Sequence, residues 1–133
     1  MQYALLIAIS LHVLAGVFWA GTSFAIARTG GSGAEKLFRP QMGAAVIVVL
    51  SGGYLWHALH EGGIGTMEIV LGLGALCAIA AAGVQGAMGA GAARILARTP
   101  DDAAARSRIV AAQRIAGGLL AITVICMAGA RYV

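Results

Sequence analysis

Two imidazoles, His12 and His57, interrupt otherwise apolar runs, and each has a glycine four residues away, Gly16 and Gly53. A ligating or ionisable ring is costly to insert into a membrane segment, so its presence there points to function. A glycine on the same helix face removes the side chain that would keep a flat ligand away from the ring. The chemistry these residues suggest is a haem iron held by two neutral imidazoles from adjacent helices, with apolar walls around the macrocycle. His60, one turn beyond His57, and Arg131 are the expected partners of the haem propionates. Trp19, Tyr54 and Trp56 supply aromatic walls or interfacial anchors.

The elements that must position these rings follow from composition. The chain has 133 residues, of which 60% are hydrophobic and 11% charged, and its mean hydropathy is +0.89. Soluble domains do not have this composition. Stretches without Asp, Glu, Lys or Arg predict an all-α bundle of four transmembrane helices, about 3–27, 40–60, 66–97 and 100–131, in a single domain. Pro40 marks the expected start of the second helix. Thr66 with Glu68, and Thr99 with Pro100 and two aspartates, read as helix starts.

Basic residues set the expected orientation. Arg28, Lys36 and Arg39 fall in the first loop and Arg94, Arg98, Arg106 and Arg108 around the third, while His60 to Thr66 has no Lys or Arg. The positive-inside rule then places both termini on the periplasmic side of a bacterial inner membrane, with membrane lipid around the bundle. The net charge of +4 belongs to this topology. The arginines are juxtamembrane and form no long stripe, so nucleic acid is not an expected partner. The start Met1-Gln2-Tyr3 lacks the positive charge of a secretory signal, so the first helix is expected to stay in the mature protein.

Depth connects the two rings. His12 lies 16 residues from Arg28 and His57 lies 18 from Arg39, which at 1.5 Å per residue puts both about 24 to 27 Å from the basic side. By the same count Cys77 and Cys126 share that level, so two His and two Cys form an alternative site for a copper ion. Gln85 and Gln113 are polar residues within the third and fourth helices, and Arg114 is expected to snorkel to the interface. Glycines and alanines crowd the third helix, with Ala82 and Gly86 at a small-xxx-small spacing. Such a face serves packing within the bundle or a homodimer contact.

The run Leu11-His12-Val13-Leu14-Ala15-Gly16-Val17-Phe18-Trp19-Ala20-Gly21 resembles the first-helix signature of the CopD/HemJ-like four-helix membrane families, a Leu-His pair with Trp seven residues after the His and then Gly. Arg39-Pro40-Gln41-Met42, continuing to Gly52-Gly53-Tyr54-Leu55, is similar to the HemJ second helix. The resemblance covers the first two helices. It implies haem b with His12 as a ligand, and it brings two activities into view: protoporphyrinogen oxidation from the HemJ side and copper binding or transport from the CopD side. The third helix has no lysine where HemJ-type enzymes have one. The expectation that follows is a haem-b protein of the membrane, an oxidoreductase in the sense of one-electron transfer near the periplasmic face, with a quinone or a periplasmic protein as redox partner.

Overall fold

In the computed structural model, which describes all 133 residues, the chain is helical throughout apart from its short connections. Helix α1 runs Gln2–Arg28, α2 Ala34–Leu59, α3 Thr66–Val84, α4 Ala90–Arg98 and α5 Ala103–Gly129. A π-helical turn, Gln85–Gly89, joins α3 to α4 so that the two form one span, and a 3-10 turn, Ala130–Tyr132, ends the chain. These make four helices long and apolar enough to cross a membrane, the architecture of a multi-pass membrane protein. Large apolar side chains such as Leu6, Leu14, Val17, Leu50, Leu76 and Ile125 point outward. Lipid tails are as apolar as these side chains, so outward leucines cost nothing there.

The helix starts have local causes. Gly33, at φ 74°, caps α2, which therefore begins six residues before Pro40; the proline lies inside the helix. Gly65 precedes α3, and its N–H donates to Glu68 Oε2 at 2.9 Å, so the acid in the first turn back-bonds to the cap. Asp102, in place of Thr99, caps α5 by accepting the Ala105 N–H at 2.9 Å. The first loop is pinned by Arg106, which donates to Gly31 O at 2.6 Å and to Pro100 O at 3.0 Å. Gly31 sits there at φ 88°, where an added Cβ would lie 3.0 Å from Val110.

Neighbouring helices pack unequally. α1 lies along α2 and α3 along α5, α1 also touches α5, and α2 meets α3 only sparsely. One core cluster, at the end rich in arginine, joins Ile26, Ala34, Ala92, Ala93, Leu96, Ala105 and Ile109. A second, at mid-bundle, joins Trp19, Ala44, Ala45, Val48, Ala78, Ala81, Ala116 and Leu120. Alanine at most of these positions lets backbones approach closely, which is the main attraction available between helices in lipid. Beyond the second cluster, toward the termini and the α2–α3 connection, α1 stays packed on α2 and α3 on α5, while α2 and α3 part.

Candidate functional site

Between α2 and α3, where they part, lies an apolar cleft of about 490 Å³. Leu55, Leu59, Leu71 and Ile79 are among its walls, and its polar chemistry comes from His12 and His60. Ligand sites of this kind combine apolar walls with a few placed polar groups.

His12 is held in one orientation. Its Nδ1 lies 3.0 Å from Ser51 Oγ. The Ser51 hydroxyl donates to the Ile47 carbonyl at 2.5 Å, and with its one hydrogen so used its oxygen accepts from His12 in the tautomer that carries the proton on Nδ1. In the neutral ring the remaining nitrogen, Nε2, then keeps a free lone pair. A ligating histidine is usually prepared in this way, its second nitrogen donating to a fixed oxygen. Close packing adds to the constraint: a Cβ on Gly52 would sit 3.0 Å from His12 Cε1.

His60 stands at the mouth of the cleft. Its ring stacks on Trp56 with centroids 4.9 Å apart, Nδ1 donates to the Trp56 carbonyl at 3.3 Å, and Nε2 is 4.0 Å from Glu68 Oε1. The mouth therefore pairs a ring that can carry positive charge with a carboxylate.

The remaining expected site residues separate into those at the cleft and those away from it. Gly53 lines the cleft, with no atom within 4 Å of an added Cβ. Gly16 faces Val48 across the α1–α2 contact instead, 4.0 Å from an added Cβ. Tyr54 and His57 are exposed and do not line the cleft. Arg131 lies over the Tyr132 ring, 4.8 Å from its centroid, and donates to Tyr132 OH at 2.6 Å. Cys77 and Cys126 carry free thiols outside the cleft, and Cys126 packs on Gly74 across the α3–α5 contact. No three His, Cys, Asp or Glu side chains converge as a metal-binding group.

The shared depth expected for His12 and His57 needs correction. Because α2 begins at Ala34, Arg39 is already inside that helix and is not level with Arg28 at the end of α1. His12 is level with Ser51 and Gly52, and His57 lies five residues, about 7.5 Å, further along. It is also rotated off the cleft face, since five residues turn a helix by roughly 500°, or about 140° net.

Trp19, expected as a cavity wall, belongs to a second site at mid-bundle, on the arginine-rich side of the cleft. Its Nε1 donates to Gln85 Oε1 at 2.6 Å. Gln85 Nε2 donates to Ser23 Oγ and to Gln113 Oε1, both at 2.9 Å. Gln113 Nε2 donates to Gln41 Oε1 at 2.9 Å, and Gln41 Nε2 to Thr22 Oγ1 at 2.9 Å. Trp19, Ser23, Gln41, Gln85 and Gln113 are all buried. The hub thus ties all four spans together, and the π turn begins at Gln85 itself. Three uncharged polar residues on three apolar spans were the signal for it in the sequence.

No family model, curated protein or solved structure matches this chain.

Proposed function

We propose that this protein binds one haem b in the cleft between α2 and α3, where His12 would hold the iron, and that it serves one-electron transfer. The observation that carries the reading is the fixed imidazole: His12 lines an apolar cleft large enough for a cofactor, and Ser51 Oγ lies 3.0 Å from its Nδ1, so that a proton there would leave Nε2 its lone pair. The resemblance of Leu11–Gly21 to CopD/HemJ-like first helices supports the same ligand. Bound iron would supply one-electron redox chemistry, tuned by its axial donors and by the low dielectric around it.

The chain's own residues account for the rest. Ser51 and Gly52 fix the ring of His12, while Val48, Val49 and Ala78 keep the interior dry. With Arg131 turned onto Tyr132, His60 is the group at the mouth that can face the propionates, and Glu68 beside it would balance its charge. Arg28, Lys36, Arg39, Arg94, Arg98, Arg106 and Arg108 gather at the opposite end. By the positive-inside rule that end is cytoplasmic and the cleft lies toward the periplasm of a bacterial inner membrane, where a quinone or periplasmic protein could exchange electrons with it.

Absorption spectroscopy of the detergent-purified protein tests the reading. A Soret band with α and β bands on reduction, lost in His12→Ala, is the expected result. A colourless protein that retains copper would replace the reading with the copper alternative, and turnover of protoporphyrinogen would promote the oxidase.

A further inference from the structure

We infer that Met127 supplies the second protein donor to the iron, in the role the sequence suggested for His57; this rests on the haem reading above. Among the residues lining the cleft, His12 and Met127 are the side chains with soft or borderline donor atoms away from its mouth. They come from α1 and α5, helices that touch each other and flank the α2–α3 gap. His57 does not line the cleft.

The two donors also agree in depth. Val48, Ala78 and Leu120 belong to one core cluster that spans about one turn of each helix, so they lie within about a turn of one another in depth on α2, α3 and α5. One turn toward the termini brings α2 to Gly52, the neighbour of His12, and α3 to Gly74, the neighbour of Cys126. Met127 follows Cys126 by one residue, which places it within one to two turns, roughly 5 to 10 Å, of the level of His12. His60 is eight residues from Gly52, about 12 Å away, too far along to share one atom with His12. Side chains on a helix lean toward its N-terminus. For α5 that is toward the arginine-rich end and for α1 toward the opposite end, so the Met127 and His12 side chains lean toward each other's level. The thioether is unbranched and flexible, which suits it to meeting a planar ligand. A histidine–methionine pair raises the reduction potential relative to two histidines.

Spectra and potentials of purified wild type, Met127→Leu, Met127→His and His57→Ala test the assignment. Met127→Leu conserves volume. It is expected to keep the fold and lose the low-spin spectrum of wild type, either by becoming high-spin and binding carbon monoxide or by losing haem. Met127→His is expected to restore a low-spin spectrum at a more negative potential, and His57→Ala to match wild type. An unchanged low-spin spectrum in Met127→Leu, or its loss in His57→Ala, would overturn the Met127 assignment and leave the haem reading standing. A wild-type protein with no Soret band, even after haem is added, would overturn both.

Discussion

The glutamine hub and the cleft sit in the same bundle and solve opposite problems. At the hub, every side-chain amide and the indole N–H have partners, all four spans contribute, and nothing is left open. At the cleft, two spans part, the walls are apolar, and the His12 ring has a side-chain partner at Nδ1 alone. A satisfied buried network fixes helix register, because any slip would strand polar groups in a dry interior. The difference teaches that the tight end lets the other end stay loose. With register held near Trp19 and Gln85, α2 and α3 can separate on the far side without the bundle losing its arrangement.

Substitutions that strike one region should leave the other measurable. The largest expected effect is at the hub: Gln85→Leu leaves the Trp19 N–H and part of Ser23 and Gln113 unpaired, and should cost about 3 kcal/mol in a detergent unfolding titration, since each stranded buried group costs roughly 1 to 3 kcal/mol. If stability moved by less than about 0.5 kcal/mol, on the scale of one average interhelical hydrogen bond in a membrane protein, the hub would be packing decoration. Ser51→Ala should lower haem affinity about 10- to 100-fold by freeing the His12 ring, as loss of such orienting partners does in metal sites, while the apoprotein melts nearly as wild type. Gly52→Ala pushes a methyl against His12 Cε1. Overpacking of about 1 to 2 kcal/mol would then appear as a 5- to 30-fold weaker haem titration. Gly53→Ala is the matched control on the open wall, where the methyl meets nothing within 4 Å; its titration should overlay wild type.

Much of this architecture was legible in the residues. Long uncharged runs predicted four helices because a helix that satisfies its own backbone is the form an apolar segment can take in lipid. His12 stood out for a related reason, since an imidazole among leucines and valines is costly to insert. His57 misled because its depth was counted from Arg39, which assumed that α2 begins at Pro40. The helix begins at Ala34, so Arg39 is not level with Arg28, and the level matched to His12 is that of Gly52, five residues before His57. Gly16 misled differently: it is on the His12 face as a helix count requires, yet that stretch of the face meets Val48 and not the cleft.

Arg131 shows the limit of reading charge by position. Its place near the chain end suggested a propionate partner, but the final 3-10 turn swings it onto Tyr132. Gln41, Gln85 and Gln113 show the limit for polar residues. Each one alone in a span reads as a local feature, and their convergence depends on crossing geometry and on a π turn that no composition encodes.

Taken alone, the amino-acid order determined the number of spans, the end that gathers positive charge and the presence of imidazoles within apolar runs, because these depend on local hydrophobicity and on charge cost. Which side chains share a depth and a face was decided by the tertiary structure. Side-chain direction turns by 100° with each residue, so a shift of a few residues in a helix start exchanges one neighbour for another.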